Sequence, residues 1–424
     1  MKSLKLFLAV LYIPIFAAIF ISPYSGTFYL LIYASLFILV MLQKRNSNRY
    51  FIMNIVLFIK FSIVFIILNS FHLVDGNELL MAVRQSLPFA IVLGLILFLS
   101  KYNQEELTKL IERAFHLAGI MFIIQFILSA YESINNIYLV KDFNWALSEI
   151  NKSTIESRFI LNIFSININF LSIFTHAFSG LLGHHNYWAV QLPFYNLFFL
   201  ILYHKSGKTY YLVLIALVLI AILLNTTRAG IITILLTDIF YVLFLNKRKN
   251  KTYYVIAYGT LFLLIYSIFM LAVNLSYYFE QTDTLTVRSE WYTAFYQQII
   301  GSGLRLFFGY GISQIDQIMV NIRAYNFESA FFSILFENGL MGLSLFIIFL
   351  VKIIIQGRKF SFINKYFSYL IVFNIVGVSA TIGGVITFYA FQFVALIYIY
   401  NVITDPSYNE ALALQTALLI KNNT

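Results

Sequence analysis

The chain has 424 residues, of which 61% are hydrophobic and only 11% charged, and its mean hydropathy is +0.83. Soluble domains carry about 25% charged residues, so this composition excludes a soluble enzyme and predicts an all-α polytopic membrane protein. Cysteine is absent, which excludes disulfides and thiolate metal sites, and the net charge of +10 is spread over short loops, which argues against a nucleic-acid partner.

Hydropathy predicts about twelve spans. The N-terminal group, 1–131, holds spans at 6–21, 28–42, 51–69, 80–100 and 114–131. Lys2 and Lys5 precede the first of these, and no small-x-small cleavage site follows Ile21. It therefore reads as an uncleaved span and not a signal peptide. A long segment, 132–183, separates this group from the central spans of 184–272, at 184–203, 209–225, 230–245 and 252–272. A second long segment covers 273–328. The C-terminal part, 329–424, holds spans at 329–351, 366–382 and 385–401 and a tail. A tight glycine turn, "TIGG" (Thr381 to Gly384), is expected between the last two spans. Two amphipathic stretches, "NQEELTKLIER" (Asn103 to Arg113) and "NEALALQTALLI" (Asn409 to Ile420), are expected as surface helices on the inner leaflet.

Alternate loops carry most of the lysines, including Lys44, Lys101, Lys109, Lys205, Lys208, the run "NKRKNK" (Asn246 to Lys251), Lys352, Lys359 and Lys421. The positive-inside rule makes that face cytoplasmic, with both termini inside the plasma (inner) membrane. Both long segments then face outward, where extracytoplasmic chemistry belongs. The inner loops are too short for a nucleotide site, and no GxxxxGK[ST] motif occurs.

Away from the inner face remain Lys60, Arg84, Lys141, Lys152, Arg158, Arg228, Arg288, Arg305 and Arg323. Arginine dominates this set. Its planar fork suits phosphate oxygens, so an anionic ligand is expected on the outer face. Arg228, in "LLNTTRAGII", stands at a span boundary among small and polar groups; it reads as a ligand group or as an arginine snorkelling to headgroups. Arg84, about one turn into the fourth span, has the same two readings. Lys60 and Asp238 fall mid-span, as a mutual buried ion pair or a proton relay. Glu328, at the outer boundary of the tenth span, reads as a general base or as a helix N-terminal acid. Glu337, deeper in that span, is expected to bond to neighbouring helices.

"GLLGHHNYWA" (Gly180 to Ala189) opens the sixth span. Adjacent histidines point apart, so His184, His185 and Asn186 read as a cap for sugar hydroxyls more readily than as metal ligands. Tyr187, Trp188 and Tyr195 stack on sugar rings in one reading and form the interfacial aromatic belt in the other. In the second long segment Arg288 and Trp291 share a helical face, and "FGYGIS" is a Gly-x-Gly turn whose N–H groups are expected to meet an anion.

Taken in order, "GHHNYWA", "NTTRAG", "RSEW", "FGYGIS" and "ESAFFSILFENGLMG" resemble the pattern "HPN-x-x-A", "S/T-x-S-R-x-G", "R-x-x-x-W", "G-x-G" and "H/D-N-x-x-L-x-x-L-x-E-x-G-x-x-G" of the O-antigen polymerase and O-antigen ligase superfamily, which includes capsule polymerases. The similarity covers about residues 180–345. Thr227 stands where that family often has Ser, "RSEW" is one residue short, and Glu328 or Asn326 stands where the ligases have His. That last departure favours polymerase over ligase chemistry.

The resemblance implies an undecaprenyl-diphosphate-linked oligosaccharide as substrate, no cofactor, and metal-independent glycosyl transfer. Arg228 and Arg288 would grip the diphosphate, helped by Arg84, Arg158, Arg305 or Arg323. Glu328 would act as base, with His184 or His185 in reserve. Partner flippase and chain-length regulator proteins are implied too. A lipid-linked oligosaccharide flippase and an O-antigen-type ligase stay open as alternatives.

Overall fold

The computed structural model describes residues 49–70, 76–135, 178, 185–225, 227–245, 293, 296–297, 303–311, 329–381 and 390–406. The spans expected at 6–21, 28–42 and 252–272, the "TIGG" turn after Thr381 and the 409–420 stretch lie outside the described residues. Among the described residues all regular structure is helical. In chain order the helices are α1 (Arg49–Ser70), α2 (Gly76–Leu99), α3 (Gln104–Asn135), α4 (His185–Ser206), α5 (Tyr210–Asn225), α6 (Arg228–Phe240), α7 (Leu304–Phe308), α8 (Ala330–Gly357), α9 (Phe362–Thr381) and α10 (Ala390–Ile403). A single π-turn, Tyr241–Leu245, extends α6.

Helix α3, helix α8 and Phe362–Ser379 of α9 are long and apolar enough to cross a membrane, and shorter apolar helices accompany them. Large side chains such as Met53, Ile127, Val213, Leu243 and Ile348 are exposed. Leaving them in water would cost roughly 1.5–3 kcal/mol each relative to burial. Lipid removes that cost, and the protein is membrane-embedded and all-α.

One expectation is corrected here. Residues 104–113 are the first turns of α3 and not a separate surface helix. Asn103 accepts the Glu106 N–H through its side chain at 2.8 Å, an N-cap, and Glu105 and Glu106 favour the positive end of the helix. Leu107, Leu110, Ile111, Ala114 and Phe115 are buried in succession. No proline interrupts that stripe, so the helix continues into the apolar span.

The chain divides into two compact units. One comprises Met1–Ile120, Gly342–Ile375 and Ile386–Thr424; the other comprises Met121–Met341 and Val376–Val385.

The first unit packs phenylalanine against phenylalanine. Phe61 of α1 stacks on Phe349 of α8 at 4.2 Å, Phe65 meets Phe89 of α2 at 4.7 Å, and Phe89 meets Phe391 of α10 at 5.2 Å. Polar latches join α9 to α10. Asn364 donates to the Asn401 carbonyl at 2.5 Å, and Asn401 donates back to the Asn364 carbonyl at 2.8 Å. Inside lipid, where water offers no alternative partner, such reciprocal bonds fix helix register.

In the second unit α4 and α5 form an antiparallel pair, with α6 against both. Gly230 of α6 permits the close approach. A Cβ there would collide with the Ile222 side chain and lie 3.5 Å from the Ala189 carbonyl. Pro193 of α4 cannot donate to that carbonyl, so α6 packs where α4 has lost a helical bond.

Candidate functional site

The most ordered meeting of the singled-out motifs is between "FGYG" and "ENG". Helix α7 ends at Gly309, where φ is +80°. Helix α8 is broken at Gly339, with φ 65° and ψ −166°. In an unbroken helix the carbonyls of Phe336 and Glu337 would accept N–H groups four residues on. At the break they turn to the turn instead. Tyr310 donates its N–H to Phe336 O at 2.7 Å, and Gly311 donates to Glu337 O at 3.1 Å.

Both glycines are required twice over. Each has a positive φ that costs a side-chain-bearing residue about 1–2 kcal/mol, and each is hemmed in by the other segment. A Cβ on Gly309 would overlap the backbone of Glu337 and Asn338, and one on Gly339 would overlap Phe307 and the Gly309 nitrogen.

This corrects the expected role of the Gly-x-Gly turn. Gly309 donates its own N–H to Arg305 O at 2.7 Å, so all three turn N–H groups are committed to carbonyls. They clasp a helix break and do not form an anion nest.

What the clasp presents is Arg305. Its guanidinium carbon lies 4.8 Å from the Tyr310 ring centroid. The Tyr310 ring stacks on Phe336 at 5.1 Å and 14°. Arg305 is exposed, and no carboxylate among the described residues pairs with it. Leu304, Phe307 and Phe308 around it are exposed as well. A cation with no described carboxylate partner keeps its charge available to an anion.

Behind the clasp, Ser333 donates to Glu337 Oε1 at 2.6 Å. Glu337 is buried, and its carboxylate serves this one-turn bond within its own helix. Next to it, Asn338 is 1% exposed and neither of its side-chain amide atoms has a partner. Sequence reading passed over Asn338, which looked like one more polar residue in a span.

A second meeting joins "GHHNYWA" to "NTTRAG". Phe178, just upstream of the first motif, donates its N–H to Leu224 O at 3.1 Å, and its carbonyl accepts Asn225 Nδ2 at 2.6 Å. These bonds seal the end of α5. Thr227 then caps α6 in an extended conformation without a side-chain cap bond, and Arg228 is the first residue of that helix, at its positive end. Gly230 lies against Ala189 of the first motif.

Of Arg84, Arg228, His185 and Asn186 the structure describes the backbone. His185 and Asn186 begin α4, and Arg84 lies in α2. Arg84 belongs to the first unit, whereas Arg228, Arg305, His185 and Asn186 belong to the second. Glu328, Arg288, Arg158, Arg323, His184 and Trp291 lie outside the described residues.

Two further expectations change. Trp188 and Tyr195 are fully buried, facing Phe122 of α3 at 6.2 and 5.5 Å. They form core, not a sugar platform or an aromatic belt. Asp238 is buried and accepts Asn196 Nδ2 at 2.7 Å, while Lys60 is exposed on α1. The buried acid has an amide for partner, and the expected lysine faces outward from its own helix.

Sequence reading also missed a polar seam at the end of α3. Gln125, Ser129, Glu132 and Ser133 are all buried, and both amide atoms of Gln125 lack partners. Their helical spacing was the available signal, divided between the span expected at 114–131 and the long segment expected from 132. Among the described residues no cluster of three His, Asp or Glu side chains suits a metal ion.

Comparison with family models, curated proteins and solved structures finds no match to this chain.

Proposed function

We propose that the protein is a polysaccharide polymerase of the bacterial cell envelope. It passes a growing glycan from undecaprenyl diphosphate to a hydroxyl of another lipid-linked repeat unit, on the outer face of the plasma membrane. The proposal includes about twelve spans, two long outer segments and cytoplasmic termini, from the hydropathy and charge pattern.

The observation that carries the reading is the docking of the Gly309–Tyr310–Gly311 turn on the break at Gly339, which leaves Arg305 charged and unpaired by any described carboxylate. Two motifs of the resemblance, some thirty residues apart, meet there. The junction of Phe178 and Ala189 with the segment that begins α6 supports it in the same way.

In the proposed reaction the acceptor hydroxyl attacks the anomeric carbon of the donor. The bond from that carbon to the diphosphate oxygen breaks, and the diphosphate leaves on its lipid. Glu328 takes the hydroxyl proton. Arg228 and Arg288 meet the charge that builds on the departing oxygen, and Arg305 holds the diphosphate. Guanidinium groups fixed in advance stabilise that charge more in the transition state than in the bound donor. No metal is required by this scheme.

A flippase is the second reading. Asp238, buried in an apolar helix with only an amide donor, favours it, because such acids serve in proton-coupled transport. Deleting the gene separates the two. Under the polymerase reading single repeat units accumulate on the outer face. Accumulation on the inner face would overturn it.

A further inference from the structure

We propose that Tyr310 is a positioning residue for Arg305: it fixes the guanidinium without neutralising it. The proposal rests on the polymerase reading only in assigning a lipid diphosphate to Arg305.

Tyr310 has almost no freedom. Its N–H is bonded to Phe336 O at 2.7 Å, and its ring lies nearly parallel to the Phe336 ring at 5.1 Å. The flanking glycines sit at φ +80° and +74°, conformations that their neighbours hold in place. One face of the ring is thus covered by Phe336 and the guanidinium carbon lies 4.8 Å from the ring centre.

The choice of an aromatic partner has a consequence. A carboxylate beside Arg305 would orient it equally well but would cancel its charge and occupy the N–H fork. A ring face attracts the cation through its quadrupole and uses none of the directed donors. The arginine is therefore held in one place with its charge and its fork free for phosphate oxygens. The exposed Leu304, Phe307 and Phe308 beside it suit the hydrocarbon end of the same ligand.

The test keeps the shape of residue 310 and changes only its quadrupole. Phenylalanine and its mono-, di- and tetrafluoro analogues are placed at Tyr310 in the full-length protein, purified in nanodiscs of neutral lipid. Farnesyl diphosphate is the probe, with inorganic diphosphate as the chain-free control. Tyr310→Phe should bind like the wild type. Affinity should then fall stepwise with fluorine number, by about 2- to 5-fold in total, as expected for an exposed cation–π contact. Arg305→Gln should weaken binding by more than that and abolish the fluorine dependence, since a residue acting through another has no effect once its target is gone. Inorganic diphosphate should bind more weakly than farnesyl diphosphate.

A flat fluorine series in the Arg305 protein overturns the proposal, and so does the same slope in the Arg305→Gln background. Because the series is isosteric, misfolding does not imitate it. A normal series together with intact polymer in the deletion strain would keep the positioning relation and remove the polymerase reading.

Discussion

Gly309 and Gly339 stand against each other so closely that a Cβ on either would overlap backbone on the other side. Thirty residues apart in sequence, they are locked by two main-chain hydrogen bonds from the turn to the carbonyls of Phe336 and Glu337. The pair explains why this span contains a glycine in its middle, where a helix would rather have alanine.

Alanine at these glycines should therefore be costly, with a built-in control. Gly303 also has a positive φ, +56°, but nothing lies within 4 Å of where a Cβ would stand. Gly303→Ala should cost about 1–2 kcal/mol from backbone strain alone. Gly309→Ala and Gly339→Ala should cost about 2–5 kcal/mol, because overlap adds to strain. Thermal unfolding in detergent measures the difference. Equal losses at all three positions would contradict the clasp.

The two acids of the "ESAFFSILFENG" segment should separate cleanly. Glu337 uses a carboxylate oxygen to accept the Ser333 hydroxyl, and glutamine keeps an acceptor of the same shape. Glu337→Gln should leave chain growth near wild type. Glu328→Gln removes the proposed base and should slow it by about 10²–10⁴. Polymer length on a gel, at matched protein levels, reads both. Unchanged growth in Glu328→Gln would remove that residue from the mechanism.

Asp238 should matter for stability and not for chain growth. Asn196→Leu takes away the donor at 2.7 Å and leaves a buried carboxyl unsatisfied, at a cost of about 1–3 kcal/mol. Asp238→Asn replaces the carboxyl with a hydrogen-bonding amide; polymer should form normally. Loss of polymer in Asp238→Asn, with the protein folded and abundant, would favour the transport reading.

Much of the helical layout was legible in the sequence because lipid leaves the backbone few options. The apolar runs at 51–69, 209–225 and 366–382 reappear as α1, α5 and α9 within a few residues. The join of residues 104–113 to the following span was harder to see. Amphipathicity marks a surface helix and the capped start of a long one alike, and the buried stripe from Leu107 onward distinguishes them only in three dimensions. Of the motifs singled out, "FGYG" and "ENG" meet in the structure, but not in the roles the sequence suggested. Gly-x-Gly signals free N–H groups only when no carbonyl needs them, and the break at Gly339 supplies carbonyls that do. Trp188 and Tyr195 read as a sugar platform or an aromatic belt because aromatic residues at a span end serve there so often; Phe122 draws them into the core. Asn338 carried no sequence signal beyond polarity in an apolar stretch.

The most direct measurement is chain growth by purified protein in lipid, supplied with a polyprenyl-diphosphate-linked oligosaccharide unit and a chelator. The wild type should convert single units into a ladder and release one polyprenyl diphosphate per bond formed. Arg228→Ala should lower the rate by about 100- to 1000-fold, the size expected when one charge-stabilising group is lost, with Arg228→Lys in between. Units that stay single with the wild type, or a full ladder from Arg228→Ala, would contradict the account.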